Sequence, residues 1–224
     1  MSVAIVIPAF NEAATVADIV RSVKPFGLPV VVDDGSVDQT ATVARAAGAE
    51  VVRHEINRGY DAALSSGFEA AAARGATVIV TFDADGQHDA GVLERFITPL
   101  LAHTADLALG IRPHSARFAE MLFSTYTRWR FGVPDILCGI KGYRIELYRR
   151  LGYFDRNQMI GTELALASLR NGARIMLIPV PIHPRKGAPR FARTLAANWL
   201  IFRAFLLALR ADITGMGQNS KRNG

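Results

Sequence analysis

The fold is first indicated by the stretch Val-Ile-Val-Thr-Phe-Asp-Ala-Asp-Gly-Gln-His-Asp, residues 78–89. Its opening segment, Val78–Phe82, is a β-branched and aromatic run typical of a buried parallel strand. Asp83 and Asp85 follow at once, and two carboxylates one residue apart at a strand end can face a single site outside the sheet. Hard divalent cations prefer such oxygen ligands. The stretch therefore predicts a strand that ends at a metal site, although a solvated acidic turn would look similar.

Strand and helix patterns alternate on both sides of this stretch. Further strands are predicted at Val3–Ile7, Val30–Val32, Val51–Val52, Leu107–Leu109 and Ile175–Ile178. Helices are predicted at Ala13–Ser22, after the turn Asp33–Ser36 through Ala47, and at Tyr60–Ala73, Phe118–Phe131, Ile145–Leu151, Gly161–Asn171 and 192–210. This alternation predicts an α/β fold with a mostly parallel sheet flanked by helices, and ligands at the carboxyl ends of the strands.

Three polar loops follow predicted strands in the first half of the chain: Pro8–Glu12, Asp33–Ser36 and Asp83–Asp89. Carboxylates at a strand end can accept hydrogen bonds from a ribose hydroxyl or a base N–H, and Gly35 permits a sharp turn. Taken alone, Asp33–Ser36 is better explained as a capped turn before a helix. Because the carboxyl ends of parallel strands meet at one edge, the three loops together favour a nucleotide site.

Composition excludes several classes of protein. Of the 224 residues, 50% are hydrophobic and 21% are charged, which excludes a mainly disordered, collagen-like or low-complexity chain. The single cysteine, Cys138, excludes an internal disulfide and a multi-cysteine zinc site, and it favours a reducing compartment. No basic segment followed by a long apolar run opens the chain, so no signal peptide is expected.

The charge is divided unevenly along the chain. Residues 1–110 hold 7 Lys/Arg and 14 Asp/Glu, a balance of −7, whereas residues 111–224 hold 19 and 6, a balance of +13. A uniformly basic nucleic-acid binder would not need this division, so no nucleic-acid partner is expected. An acidic half suits a cation, and a basic half suits phosphates or an anionic membrane surface.

Four motifs in order resemble family 2 glycosyltransferases with the GT-A fold, a Rossmann-like α/β fold. They are Pro8-Ala9-Phe10-Asn11-Glu12, Asp33-Asp34-Gly35-Ser36, Asn57-Arg58-Gly59 and Asp83-Ala84-Asp85-Gly86-Gln87. The last motif looks most like the branch of dolichyl- or polyprenyl-phosphate mannose and glucose synthases. The resemblance implies an inverting, metal-dependent sugar transfer from a nucleotide-diphosphate sugar.

The resemblance also implies roles for individual residues. Pro8, Phe10, Glu12 and Asp34 would line the base and ribose, and Asp83, Ala84 and Arg112 would contact the rest of the nucleotide. Asp83, Asp85 and Gln87 would hold Mg²⁺ or Mn²⁺, with Asp85 also counted as catalytic.

The second half resembles the acceptor side of the same branch. Gly110-Ile111-Arg112 resembles the Gly-Ser-Arg after the fifth strand, and Arg117 falls near a second phosphate-facing arginine. Residues 135–144 resemble the acceptor pattern Asp-x-x-Ser-Gly-Phe-Arg, with two extra residues before the aromatic. A lipid phosphate is already anionic at pH 7 and needs arginines more than a base, which makes Arg117 a candidate catalytic residue.

Other acceptors and functions remain open from the sequence. A glycan, glycolipid or small-molecule hydroxyl acceptor would require a general base, for which Glu163 and Asp135 are the candidates. A phosphatase of the haloacid dehalogenase type also carries Asp-x-Asp-Gly after a strand. There, however, the motif ends the first strand, whereas here it ends the fourth. A non-catalytic nucleotide-sugar-binding scaffold is disfavoured because acidic motifs and arginines occur together.

The predicted domain organisation has three parts. Residues 1–190 form the GT-A domain, divided into a nucleotide and metal half at 1–110 and an acceptor half at 111–190. Residues 191–213 form an amphipathic helix, and 214–224 a flexible tail. The apolar run Trp199–Leu209 is too short to span a bilayer, which takes about 20 residues.

The amphipathic helix has two faces. Ile201, Phe202, Phe205 and Leu209 share one face, opposite Arg203 and Arg210. This pattern favours peripheral attachment to the cytoplasmic face of a membrane. Packing on the domain or on a second subunit of a homo-oligomer is the alternative.

Overall fold

The computed structural model describes residues 2–84, 86, 88–113, 117–181 and 194–220, with side chains of the last helix described from 198 to 214. The strands are β1 (Val3–Ala9), β2 (Leu28–Asp33), β3 (Glu50–Arg53), β4 (Val78–Thr81), β5 (Leu107–Ile111), β6 (Lys141–Arg144) and β7 (Ile175–Pro179). The helices are α1 (Val16–Val23), α2 (Thr40–Ala46), α3 (Tyr60–Ala73), α4 (Leu93–Leu101), α5 (Phe118–Phe131), α6 (Ile145–Leu151), α7 (Glu163–Arg170) and α8 (Thr194–Ser220).

The strands form a mixed sheet in the order β3-β2-β1-β4-β6-β5-β7. All neighbouring pairs are parallel except those of β6, which runs antiparallel to β4 and to β5. The amino end of β6 therefore lies beside the carboxyl ends of β4 and β5. This reversal brings Lys141 and the loop before it to the same edge of the sheet as the polar loops of the first half.

Apolar side chains cover both faces of the sheet and make a three-layer α/β fold. One core contains buried residues of α3, α5, α7 and α8, and the other contains those of α1 and α4. Helix α1 shows why the sequence folds locally as it does, since Val16, Ile19, Val20 and Val23 repeat at helical spacing and are all buried. Helix α3 approaches the sheet closely at Gly67, where a Cβ would lie 2.3 Å from a methyl group of Val6.

The structure confirms the six predicted strands, and it adds strand β6 and helix α4, which the sequence analysis did not predict. Strand β6 is short and reads Lys-Gly-Tyr-Arg, so neither its composition nor its alternation suggests a strand. It forms because β4 and β5 hydrogen-bond it from both sides. The resemblance had treated the same residues as part of an acceptor loop.

Helix α8 is longer than predicted and its apolar face packs on the protein. It runs to Ser220, beyond the expected end at residue 213, and residues 221–224 lie outside the described part of the chain. Ile201 is buried, and Phe202, Phe205 and Leu209 pack against the core that includes α5. The face assigned to a membrane is therefore covered by the domain, which was the alternative. No helix in the described residues is long and apolar enough to cross a bilayer.

A single aspartate anchors α8 to its neighbours. Asp212 is buried and accepts hydrogen bonds from Tyr126 Oη at 2.6 Å and Arg130 Nε at 3.1 Å, both on α5. Arg170 of α7 also donates to Asp212, and its Nη2 donates to the carbonyl oxygen of Ala208 at 2.8 Å. Packing and charge together fix α8 against the second half of the domain.

Candidate functional site

The loops after β1 and β2 are joined by hydrogen bonds between side chains and backbone. The N–H of Asn11 donates to Ser36 Oγ at 2.8 Å, and the N–H of Val37 donates to Asn11 Oδ1 at 3.0 Å. The N–H of Glu12 donates to Thr40 Oγ1 at 2.8 Å. Asn11 has a positive φ of 52°, a conformation that asparagine tolerates better than most residues. The two motifs therefore form one rigid wall at the carboxyl edge.

Asp34 holds the loop that leads into α3. The residue is 4% exposed, and its carboxylate accepts hydrogen bonds from the N–H groups of Arg58 at 2.9 Å and Gly59 at 2.8 Å. His54 Nδ1 lies 2.6 Å from Asp34 Oδ1, and His54 Nε2 lies 2.9 Å from Ser66 Oγ on α3. The structure thus brings the second and third motifs together. Pro8 and Phe10, also expected at the base and ribose, are half-buried on β1 and just after it.

Asp83 lies at the end of β4 between α3 and the loop before β6. Tyr60 Oη donates to Asp83 Oδ1 at 3.2 Å. On its other side, a Cβ added to Gly139 would lie 1.9 Å from Asp83 Oδ2, so only glycine allows this contact. Ala84 is buried, and its carbonyl oxygen accepts a hydrogen bond from Thr15 Oγ1 at 3.1 Å. Asp83 is thereby held by packing and hydrogen bonding at the centre of the edge.

The donor set for a cation is described in part. The carboxylate of Asp83 supplies hard oxygen atoms of the kind that Mg²⁺ and Mn²⁺ bind, and it lies at the edge where the sequence placed a metal. Asp85 and Gln87 lie outside the described residues. In the described part of the chain, His, Cys, Asp and Glu side chains form no cluster of three that could bind a metal. The chemistry of Asp83 fits a divalent cation that takes its other ligands from the neighbouring motif and a bound ligand.

Two arginines and two carboxylates lie close together near the carboxyl end of β5, at the same edge of the sheet as Asp83. Arg112 follows β5, and its side chain donates two hydrogen bonds to the Asp135 carboxylate, from Nε at 2.7 Å and from Nη2 at 2.9 Å. Arg117 Nη1 donates to Glu120 Oε1 at 3.0 Å, and Arg112 Nη2 lies 3.7 Å from Glu120 Oε2. We call Arg112, Arg117, Glu120 and Asp135 the charge quartet. Glu120 is buried and was not predicted from the sequence.

Asp135 is bound to Arg112 in a way that bears on its suggested role as a base. Burial of Asp135 disfavours its charge, but the hydrogen bonds and charge of Arg112, together with the charge of Lys141, outweigh burial and lower the pKa of the carboxyl group. The N–H of Leu137 also donates to Asp135 Oδ1, at 3.2 Å. The N–H of Arg112 donates as well, to Asp135 Oδ2 at 3.1 Å. A carboxylate with a lowered pKa and four donors accepts a proton poorly. The geometry therefore favours Asp135 as the partner that orients Arg112.

Glu163 begins α7, and its carboxylate points into the preceding loop. It accepts hydrogen bonds from the N–H of Arg156 at 2.8 Å, from the N–H of Asn157 at 3.0 Å and from Asn157 Nδ2 at 2.6 Å. Asp61, which stands where the resemblance expects glycine, accepts from the N–H groups of Ile160 and Gly161 in the same loop. Both carboxylates hold this loop in shape, and the structure does not bring Glu163 into hydrogen bonding with the charge quartet.

Lys141 is the second site residue that the sequence analysis did not identify. It is 3% exposed at the start of β6, and its Nζ donates to the carbonyl oxygen of Cys138 at 2.6 Å. The charges of Asp83, Asp135 and Arg112 all act on this ammonium group. Lys141 thus lies between the Asp83 region and the charge quartet. A lone lysine amid apolar and glycine residues was the available signal in the sequence.

Comparison with known proteins gives the class and then the family. The structure of glucosyl-3-phosphoglycerate synthase from Mycobacterium tuberculosis, in complex with Mn²⁺, uridine diphosphate and glucosyl-3-phosphoglycerate, superposes with a TM-score of 0.75. The two chains are 21% identical, and the match covers 94% of this chain and 79% of that one. The fold is that of the GT-A glycosyltransferases. Residues 4–152 match the family described as Glycosyl transferase family 2, and the chain belongs to that family.

Two relatives are similar over most of their length. An uncharacterised glycosyltransferase of Mycobacterium tuberculosis is 33% identical over 196 residues, which are 83% of this chain and 87% of the relative. The undecaprenyl-phosphate mannosyltransferase of Micrococcus luteus is 29% identical over 210 residues, which are 83% of this chain and 85% of that protein. The predicted family and fold are therefore confirmed, and the protein is a glycosyltransferase.

Proposed function

We propose that the protein transfers a sugar with inversion from a nucleotide-diphosphate sugar to a polyprenyl phosphate, working at the cytoplasmic surface of a membrane. The observation that carries the proposal is the meeting of two features at one sheet edge. The loops held by Asp34 and the carboxylate of Asp83 form one side, and the arginines of the charge quartet form the other. Relatives that act on lipid phosphates support the choice of acceptor.

The donor side would hold the nucleotide diphosphate. Pro8, Phe10, Glu12 and Asp34 would line the base and ribose, as the resemblance implies. Asp83, with Asp85 and Gln87, would hold Mg²⁺ or Mn²⁺, which when bound would neutralise negative charge on the leaving nucleoside diphosphate. The wall formed by the first two motifs is fixed by its own hydrogen bonds, so it can bind the nucleotide without rearranging.

The acceptor side would orient the attacking phosphate. Arg112 and Arg117 would place an anionic phosphate oxygen opposite the leaving diphosphate. A bond forms between that oxygen and the anomeric carbon while the bond from the anomeric carbon to the diphosphate breaks, which inverts the configuration. The phosphate oxygen carries a charge at pH 7, so no side chain has to remove a proton.

Exposed apolar side chains on α5 and α8 would meet the membrane. On α5 they are Phe118, Met121 and Trp129. On α8 they are Trp199, Leu206 and Ile213, which lie outside the face that packs on the domain. Arg128 and Arg210 are exposed on the same two helices. Tryptophan together with arginine is the combination that binds at the boundary of an anionic bilayer.

The first test is a donor screen with a metal-site variant. Purified protein is assayed for metal-dependent release of UDP, GDP or dTDP, with and without a short polyprenyl phosphate. We expect Asp85→Asn to abolish transfer, because loss of one charge-stabilising contact raises the activation free energy by about 3–4 kcal/mol. Asp89→Asn is the matched control, since Asp89 is exposed and its carboxylate caps a turn through the N–H of Gly91. More than a tenth of wild-type activity in Asp85→Asn would overturn the metal assignment.

The second test addresses the acceptor. Arg117→Ala should raise the KM for polyprenyl phosphate, because a charge-assisted contact to phosphate contributes about 1.5–3 kcal/mol. Arg45→Ala, an exposed arginine on α2, is the control and should leave the KM unchanged. If Arg117→Ala lowers only the thermal midpoint, Arg117 has a structural role and the phosphate assignment fails.

The third test addresses the membrane. Trp129→Gln combined with Trp199→Gln should reduce flotation with anionic vesicles, and Val37→Gln, another exposed apolar residue, should not. Equal flotation of the double variant and the wild type would exclude this surface as the membrane contact.

A hydroxyl acceptor is the second candidate, and one observation favours it. Asp135 fills the fork of Arg112, and Glu120 contacts Arg117, so two carboxylates offset the two arginines. A cluster with this balance attracts a phosphate less strongly than two unpaired arginines would. Donor turnover in the presence of a glycolipid hydroxyl, with no turnover in the presence of polyprenyl phosphate, would select this alternative.

A further inference from the structure

Lys141 is a buried cation with an unusual environment at the sheet edge. It is the first residue of β6, where it lies opposite Thr81 of β4 and Leu109 of β5. In the described part of the chain its Nζ donates to the neutral carbonyl oxygen of Cys138, at 2.6 Å, and not to a carboxylate. An ammonium group loses much of its hydration at this depth, and one carbonyl replaces little of it.

The burial of Lys141 destabilises the folded protein. Burial lowers the pKa of Lys141, while the charges of Asp135 and Asp83 act in the opposite direction without cancelling the effect. Because the pKa is lower in the folded chain than in the unfolded chain, protonated Lys141 opposes folding at neutral pH. A charged group that is held in place against stability is a candidate for a role in binding or catalysis.

The hydrogen bond of Lys141 fixes the peptide that supports Asp83. Thr81 Oγ1 donates to the carbonyl oxygen of Gly139 at 2.6 Å, so the Cys138–Gly139 segment is held at both of its carbonyl groups. The α-carbon of Gly139 faces the Asp83 carboxylate, as the 1.9 Å separation to an added Cβ shows. A shift of this segment would therefore move the surface against which Asp83 rests.

We infer that Lys141 is a positioning residue of the donor site, which fixes the Cys138–Gly139 segment against Asp83 and offsets the negative charge there. The inference rests on the proposed function, because it assumes that Asp83 serves a metal-bound nucleotide. Lys141 itself is enclosed and acts through Asp83 without contacting the donor.

Calorimetry with MnCl₂ and UDP, GDP or dTDP tests the inference on the full chain without requiring turnover. Lys141→Met keeps a similar volume and removes the charge. We expect it to weaken Mn²⁺-dependent nucleotide binding by at least about tenfold, as is usual when a supporting residue of a metal site is removed. Its thermal midpoint should stay the same or rise, because the buried charge is gone. Lys24→Met, at the end of α1, is the control and should bind like the wild type.

Gly139→Ala disturbs the same contact from the other side and should weaken nucleotide binding in the same way. Wild-type binding in Lys141→Met would overturn the inference. A Lys141→Met variant that loses stability and binding together, while Gly139→Ala binds normally, would also overturn it, since the role would then be structural. Absence of nucleotide binding in the wild type would instead overturn the proposed function itself.

Discussion

The two halves of the sheet edge are built by different kinds of contact. In the donor half, short polar side chains bond to nearby backbone, as Asn11 does with Val37 and Asp34 does with Gly59. In the acceptor half, charged side chains bond to one another, as Arg112 does with Asp135. The first kind of contact depends on the shape of a loop, and the second on the relative placement of separate elements.

This difference determines what each half tolerates. A carboxylate that accepts several backbone N–H groups cannot be removed without leaving buried donors unpaired. An ion pair with a partly exposed arginine can lose one partner and let the other return to water. We therefore expect substitutions of the donor-half carboxylates that accept backbone N–H groups to damage folding and binding together, and substitutions of the acceptor-half ion pairs to separate the two.

Asp34→Ala should have the largest effect. It removes the acceptor for His54 and for the N–H groups of Arg58 and Gly59, all at the sheet edge. Because unpaired buried donors cost about 1–3 kcal/mol each, the free energy of unfolding should fall by roughly 3 kcal/mol or more, and nucleotide binding should be lost. Urea denaturation and calorimetry measure the two effects. Asp34→Asn retains one oxygen acceptor, so its free energy of unfolding should lie between those of Asp34→Ala and the wild type. A loss below about 1 kcal/mol in Asp34→Ala would contradict the proposed contrast.

The donor half could be predicted well because its contacts follow the local sequence. Val3–Ile7 and Val30–Val32 are β-branched runs, and the polar residues directly after them form the wall that the structure shows. The resemblance covers these motifs, and their order matches the strands of the sheet. Short loops at the ends of parallel strands leave few alternatives for where such residues can lie.

The acceptor half could be predicted only in part because its contacts join distant residues. Arg112 and Asp135 are 23 positions apart, and nothing local to either residue predicts the pairing. Glu120 looks like an ordinary acidic residue in the first turn of a helix, and Lys141 belongs to a strand that only its neighbours stabilise. The face of α8 was correctly identified as apolar, but periodicity cannot distinguish burial against α5 from burial in a membrane.

Asp212→Ala should have an intermediate effect, confined to stability. The buried hydroxyl of Tyr126 loses its acceptor. Arg130 and Arg170 also lose their shared partner, but their side chains are 37% and 23% exposed and can regain water. We expect the free energy of unfolding to fall by about 1–2 kcal/mol, with Mn²⁺-dependent nucleotide binding unchanged. Asp18→Ala, which breaks an exposed pair with Arg21 on α1, is the matched control and should change little. Loss of nucleotide binding in Asp212→Ala would show that the two halves are not separable.

The pH dependence of stability should reveal the junction of the halves, where Asp155 meets Asp61 of α3. Burial, with the charge of Asp61, raises the pKa of Asp155 from 3.8 to about 7. The folded chain then binds more protons than the unfolded chain between these values, so this carboxyl group lowers stability as the pH rises from about 4 to about 7. Asp155→Asn should flatten that part of the profile in urea denaturation. Asp106 provides the opposite sign, because Arg174 lowers its pKa to about 2. Its contribution is present above pH 3.8 and is lost as the pH falls toward 2. Asp106→Asn should therefore lower the stability at every pH above 3.8 and change the slope of the profile only in the acid limb. If Asp155→Asn keeps the wild-type slope between pH 4 and 7, the junction does not hold a buried acid pair, and the pH dependence must arise from carboxylates within one half.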